Sequence, residues 1–327
     1  MEYRKLGNTD LELSVITHGA FAIGGNMWGG NEKKDSINSI HASLDNGVST
    51  IDSAPFYGFG LSEEIIGEAI QGKDRSKIQL LTKFGLVWDG SNQGKGEFFF
   101  NAMDDGKEIP VFKYASKANI IKEVEESLKR LRTDYIDLLQ LHWPDNTTPI
   151  SETMEALEML VNQGKIKAAG VSNYSLSQLQ EAAKTFAPAS NQVTYSMLNR
   201  SIEKDIVPYA LDSNTGIIVY SPMERGLLTG KYFTDNKLKS DDHRNDYFQQ
   251  FDLPKVEQFL SSIRPIAESK NVSLAQLVLR WTTLQPAITI VLAGARNAEQ
   301  AISNAAAIEI NITKDEMDFI NKHLENL

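Results

Sequence analysis

The feature that most constrains this chain is an alternation. From residue 16 onward, short apolar or β-branched runs take turns with longer segments of helical period. A period of two marks strands and a period near 3.6 marks helices, so this alternation is the pattern of βαβ units that build a parallel sheet. The expected strands are residues 16–20, 49–53, 79–83, 136–142, 167–171, 192–195, 216–220 and 288–293. Helical segments lie at 34–46, 62–72, 119–131, 151–163, 175–185, 202–213 and 273–285, with a further helix from 313. Ser62 with Glu63 and Glu64 behind it reads as a helix start, and Asp45-Asn46-Gly47 and Gln163-Gly164 read as helix ends. Eight strands in one run without a linker fit a single (β/α)₈ TIM barrel over residues 1–327 better than two doubly wound domains. Ahead of the run, Gly7-Asn8-Thr9-Asp10 joins two short extended segments and predicts an N-terminal β-hairpin.

Composition narrows the functional classes. With 41% hydrophobic and 23% charged residues the chain suits a globular fold with a sizeable core. A formal net charge of −10 argues against a general nucleic-acid or membrane-surface binder, so an anionic ligand has to meet a local basic spot. The absence of cysteine removes disulfides, thiolate metal sites and cysteine nucleophiles together, and no metal is expected. No apolar run reaches the ~18 residues of a membrane span and no signal-like segment follows Met1, so a cytoplasmic location is expected.

Two connections exceed the length of ordinary loops. Residues 86–118 hold Trp88 and Phe98-Phe99-Phe100, and residues 222–254 follow the seventh strand. Both leave from strand C-termini, the catalytic face of such a barrel, and both are expected to form lids or pocket walls. The charged series Lys122, Glu123, Glu125, Glu126, Lys129 and Arg130 reads as a solvated helix face.

Four polar residues fall at or just beyond strand ends: Asp52 and Tyr57, Lys83, and His142. Each alone has a bland reading, as a turn cap, loop packing, a surface lysine or a core histidine. Together at three successive strand ends they form a proton-donating system. Tyrosine has an ordinary pKa near ~10 and is expected to need the charge of Lys83 to become useful near neutrality. Asp52 then keeps the lysine charged, and His142 orients an oxygen of the substrate. None of the four accepts a hydride, so redox chemistry requires an external carrier such as a nicotinamide.

With these residues in view, the chain resembles the aldo-keto reductase family, and within it the bacterial NADP(H)-dependent members. The matches are Gly19-Ala20 with Gly24-Gly25, the run Gly47 to Ala54 with Tyr57-Gly58, Thr82-Lys83, Asp134 to Leu139 with Leu141-His142-Trp143-Pro144, Gly164-Lys165-Ile166, Gly170-Val171-Ser172-Asn173, and Tyr220-Ser221-Pro222 with the run Gly226 to Lys231. They follow the family order along nearly the whole chain. The resemblance implies a (β/α)₈ barrel, NADP(H) as cofactor, and Asp52, Tyr57, Lys83 and His142 as the catalytic set. It assigns Ser172, Asn173 and Gln192 to the nicotinamide carboxamide and Tyr220 to the ring face. Ser221, Met223, Gly226, Leu228 and Lys231, with Arg225 beside them, fall on the pyrophosphate loop. Gly294, Arg296, Gln300 and Asn304 match the adenosine end, Arg296 suiting a 2′-phosphate. Ala293 stands where the family usually has proline.

Members that reduce steroid carbon–carbon double bonds carry glutamate at the position of His142, so the histidine implies reduction of an aldehyde or ketone, sugars among them. Trp28, Phe56, Trp88 and Trp143 are the expected substrate pocket. A small-molecule carbonyl is the expected partner, with neither nucleic acid nor membrane. Two other readings stand beside reduction: a cofactor-binding regulatory subunit similar to the potassium-channel β subunits, and a Schiff-base aldolase using Lys83, against which the cofactor motifs count.

Overall fold

The computed structural model describes all residues except 25–30, 105, 235–237, 239–241, 243 and 326. The chain opens with the expected hairpin, β1 (Tyr3–Lys5) and β2 (Glu12–Ser14), paired antiparallel. Eight parallel strands then close into a barrel: β3 (Ile16–Gly19), β4 (Thr50–Asp52), β5 (Gln79–Phe84), β9 (Ile136–Leu141), β10 (Ile166–Ser172), β11 (Ser190–Thr194), β12 (Gly216–Tyr220) and β13 (Ile288–Gly294). Each matches one of the eight runs read from the sequence, shifted at most slightly at its ends.

Helices surround the barrel: α1 (Lys33–Asp45), α2 (Leu61–Ala69), α3 (Lys117–Leu131), α4 (Ile150–Asn162), α5 (Leu176–Ala182), α6 (Ile206–Ser213), α7 (Arg244–Phe248), α8 (Leu253–Ser269), α9 (Leu274–Thr283), α10 (Ala298–Ala306) and α11 (Lys314–Leu324). The expected stops at Asn46-Gly47 and Gln163-Gly164 are present, with Gly47 and Gly164 at positive φ. The expected start at Ser62 is not: α2 begins one residue earlier behind Gly60. The Ser62 hydroxyl is buried against Ser53 Oγ at 2.9 Å and Ala20 O at 3.2 Å, so it joins two loops instead of capping a helix.

Period-two alternation makes the barrel interior. Leu81, Leu138, Ala168, Ile218, Ile290 and Leu292 point inward, and Leu6, Leu11 and Leu13 of the hairpin pack beneath them. Burying a leucine contributes about 1.5–3 kcal/mol. Three of them suffice to dock a hairpin that two-stranded pairing alone does not hold in water. Two residues further along β5 and β9 the inward positions become Lys83 and Gln140, which are register partners. The apolar floor thus gives way to a polar layer one pleat nearer the C-terminal mouth.

The segment after β5 is an ordered sheet of β6 (Leu86–Val87), β7 (Glu97–Asp104) and β8 (Lys107–Lys113), in the order β6-β8-β7 and antiparallel throughout. Helix α3 departs from the fully solvated face expected of it. Lys122 and Glu126 do pair across a turn at 3.1 Å, but Glu123 is buried and accepts the Gly85 N–H at 3.0 Å. Arg130 reaches 2.7 Å to Glu63, which is fully buried in α2. Among the described residues no helix is long and apolar enough to cross a membrane.

Candidate active site

Asp52 ends β4, and the turn beyond it carries Tyr57 back over the barrel mouth. That turn packs backbone to backbone on the loop after β3. A Cβ on Gly58 would lie 2.2 Å from Gly24 O, and Gly58 also has φ of +65°, so a larger residue here displaces Tyr57. Lys83, on β5, spends its three ammonium protons on three acceptors: Asp52 Oδ1 at 2.6 Å, Ser53 O at 2.8 Å and the Tyr57 hydroxyl at 3.1 Å. Its side chain is 1% exposed. His142 follows β9, its N–H donating to Phe84 O at 2.9 Å, and its ring meets the Tyr57 ring edge-on with centroids 5.8 Å apart. The four residues expected to act together are therefore in one cluster.

Burial holds the Tyr57 phenol above its ordinary value; Lys83 pulls the other way, and the nearby Asp52 carboxylate offsets it. The lysine acts in the expected direction, but desolvation outweighs it, and the tyrosine stays protonated at neutral pH. Burial also works against the charge of Lys83, but Asp52 and Tyr57 more than compensate and keep it an ammonium. His142 is held well below the ordinary imidazole value by burial, with the charge of Lys83 adding to it, so the ring is neutral at pH 7.

A cleft of about 730 Å³ runs from this cluster across the mouth. Asp52, Tyr57 and His142 open onto it, with Lys83 just beneath. Of the expected cofactor residues, Ser172, Asn173, Gln192, Tyr220, Ser221, Met223, Arg225, Gly226, Lys231, Gly294, Arg296, Gln300 and Asn304 line it; Leu228 does not, being wholly buried under the loop. Several of them are already bonded to one another. Asn173, at φ +61°, accepts from the Tyr220 hydroxyl at 2.9 Å, and Ser172 Oγ donates to Gln192 O at 2.8 Å. Gln300 Oε1 accepts the Arg296 N–H at 2.9 Å and Asn304 donates to Gly294 O at 3.0 Å, so these two shape the β13–α10 turn.

The loop after β12 makes part of the cleft lining basic, with Arg225 and Lys231. Ser221, Glu224, Arg225 and Gly226 all have positive φ, between +47° and +95°. Two amides of this run are already used, Glu224 N–H donating to Ser221 O at 3.0 Å and Gly226 N–H to Met223 O at 2.9 Å, so the charge it offers an anion is that of the Arg225 and Lys231 side chains. Arg225 stacks 3.8 Å above the Tyr247 ring, and Tyr247 donates to buried Glu224, which also accepts from Ser196.

Of the expected substrate residues, Phe56 and Trp143 line the cleft. Trp88 stands behind that wall, with ring centroids 5.8 Å from Phe56 and 5.7 Å from Phe59, and Trp28 lies outside the described residues. Sequence reading missed Phe21, whose ring is 4.9 Å from Tyr57, and Arg244 and Tyr232 in the cleft lining. Phe21 lies two residues beyond the end of β3, where the mouth of such a barrel begins, and that position was the available signal.

Fold and mouth together are those of a (β/α)₈ barrel with a polar cluster at the C-terminal ends of its strands. Residues 15–325 match the Aldo/keto reductase family, and the chain belongs to that family. It is 40% identical over 335 residues to the aldo-keto reductase YhdN of Bacillus subtilis (strain 168), covering 100% of this chain and 94% of that protein. It is 34% identical to the NADH-specific methylglyoxal reductase of Escherichia coli (strain K12), covering 98% of each. Among solved structures it is similar to the glycerol dehydrogenase AKR11B4 from Gluconobacter oxydans, with 36% identity, a TM-score of 0.87, and 99% and 95% of the two chains covered. An aldo/keto reductase from Klebsiella pneumoniae in complex with NADP and acetate aligns with 26% identity and a TM-score of 0.73 over 98% of this chain and 95% of that one.

Proposed function

We propose that this protein reduces a small aldehyde or ketone to the alcohol with NADP(H), and that Tyr57 delivers the proton. The observation that carries the reading is a protonated Tyr57, fixed by Lys83 at 3.1 Å, beside a neutral His142 in the wall of a cleft of about 730 Å³. The residues present fit the cofactor. Polar Ser172, Asn173 and Gln192 suit a carboxamide, the Tyr220 ring offers a flat face, and its hydroxyl bond to Asn173 presets the orientation of that face. The side chains of Arg225 and Lys231 in the cleft lining suit a pyrophosphate. Bound there, the nicotinamide supplies the hydride.

The chain's own residues handle the proton. His142, being neutral, donates an N–H to the carbonyl oxygen, and Tyr57 transfers its proton to the same oxygen as charge builds there. The ammonium of Lys83 then faces the phenolate and stabilises it, while Asp52 keeps Lys83 charged. Phe21, Phe56, Phe99, Phe100 and Trp143 surround the reacting end with apolar surface that excludes water and accepts aliphatic, aromatic or sugar faces.

Arg296 in the cleft lining supports NADP over NAD, although the Escherichia coli relative is named for NADH specificity. The aldolase reading is disfavoured because every proton of Lys83 is already committed. The test is a screen of NADPH and NADH oxidation over aldoses, ketoses, and aliphatic and aromatic aldehydes. Tyr57→Phe should keep cofactor affinity, read by fluorescence titration, while kcat falls by about 10²–10⁴. A variant that turns over normally removes Tyr57 from the role, and tight cofactor binding without turnover in the wild type points to a regulatory subunit.

A further inference from the structure

Asp52 has two carboxylate oxygens, and the proton chemistry above engages one. Oδ1 takes the lysine; Oδ2 accepts Gln192 Nε2 at 2.8 Å and Gln140 Nε2 at 3.3 Å. Gln192 Nε2 also lies 3.3 Å from Gln140 Oε1, so the two amides and the carboxylate close a triangle. All three residues are buried, Gln140 completely. An ionised carboxylate in such a place needs donors on both oxygens. It can only accept, so each glutamine must turn its NH₂ group inward, which fixes both amides without ambiguity of orientation. Gln192 lines the cleft, and the group it has left to offer there is its amide oxygen.

The route between these residues is built into the barrel wall. Gln140 is the register partner of Lys83 on one side and of Gly170 on the other. A Cβ at Gly170 would come within 3.2 Å of Gln140 Cγ and 2.4 Å of Ser190 Oγ. The missing side chain on β10 opens the passage through which Gln140, on β9, reaches Gln192 on β11.

We infer that Gln140 is a positioning residue for the reaction. It satisfies the second oxygen of Asp52 and locks Gln192 with its amide oxygen presented to the cleft. In this way one buried side chain links the proton-donating cluster to recognition of a ligand that bears N–H donors, such as the carboxamide of a nicotinamide. The inference rests on the reductase reading for its ligand.

Two variants and one cofactor analogue test it. In Gln140→Met, of nearly equal size, the folded protein should lose about ten-fold in NADPH affinity and about ten-fold in kcat. Wild type should also prefer NADPH over its 3-acetylpyridine analogue, which lacks the N–H donors, and that preference should collapse in Gln140→Met. Gln140→Glu should be the poorer of the two at alkaline pH and recover relative to wild type as pH falls, because the introduced carboxyl donates to Asp52 only when protonated. If Gln140→Met does not fold, Gln140→Glu carries the test through its pH profile. A Gln140→Met protein with wild-type affinity, kcat and analogue preference overturns the inference, as does a Gln140→Glu profile parallel to wild type. Wild-type protein that binds NADPH but reduces nothing overturns the reductase reading instead, and Gln140 is then judged on the affinity and analogue ratios.

Discussion

Lys83 is the residue on which the others lean. Its charge is tolerated at 1% exposure because Asp52 lies 2.6 Å away, and the same pairing makes it costly to remove. Lys83→Met should destabilise the fold by about 3–5 kcal/mol, since it strands a buried carboxylate. Adding Asp52→Asn should restore much of that loss, as urea unfolding of the single and double variants would register. The cluster was legible in the sequence because each member sits at a strand end, a location the alternating pattern fixes. The direction of the Tyr57 shift was not, because it depends on how completely neighbouring loops exclude water, and sequence carries no measure of that. Gln140 was hidden differently. It sits inside the apolar strand Ile136–Leu141, and the partner that gives it meaning is 52 residues away on β11.

At the scale of elements, the sheet β6–β8 is the piece the sequence rendered least clearly. Strands alternate their faces, so Phe98-Phe99-Phe100 should send neighbours to opposite sides. The register of β7 against β8 instead shifts between Phe98 and Phe100. A bulge adds one residue to one strand and breaks the alternation. Phe99 and Phe100 both reach the cleft, while Phe98 is 55% exposed. No pattern of period two reveals such a step. Phe100 packs 5.6 Å from Phe56, so the pair forms one continuous wall. Phe100→Ala should therefore lower kcat/KM for an aromatic aldehyde about ten-fold more than for a three-carbon one, a ratio that steady-state assays deliver directly. Equal losses on both would remove Phe100 from substrate selection.

For the whole molecule, strand order followed from the sequence alone, while the pH response is set by groups that only the folded packing buries. Burial pushes the Glu123 carboxyl up from an ordinary 4.5 to about 8. The folded protein therefore holds a proton that the unfolded chain releases, and stability falls as pH rises from about 4.5 through 8. Burial pushes the His18 imidazole down from 6.5 to about 4, and its Nε2 has no partner among the described residues. Here the unfolded chain takes up a proton that the fold refuses, so stability falls as pH drops from 6.5 toward 4. Between 4.5 and 6.5 the Glu123 trend opposes that of His18, to which buried His142 adds; above 6.5, among the described residues, the Glu123 trend leads. Urea midpoints should decline from about pH 6.5 to 8.5, and Glu123→Gln, which mimics the protonated acid, should flatten that decline. A wild-type midpoint that is level over this range would exclude a titrating Glu123.

The sheet inserted after β5 begins at Leu86 and ends at Lys113, and those two residues are register partners. Entry and exit are thus side by side, with the segment between them closing on itself before the chain resumes its helix. It behaves as a cassette. Its Phe99 and Phe100 line the cleft, whereas Asp52, Tyr57, Lys83 and His142 all lie on the barrel strands and the turns beyond them. A lineage or a designer can therefore exchange residues 86–113 for a different wall, reshaping the cleft while the cluster of Asp52, Tyr57, Lys83 and His142 beneath is inherited unchanged.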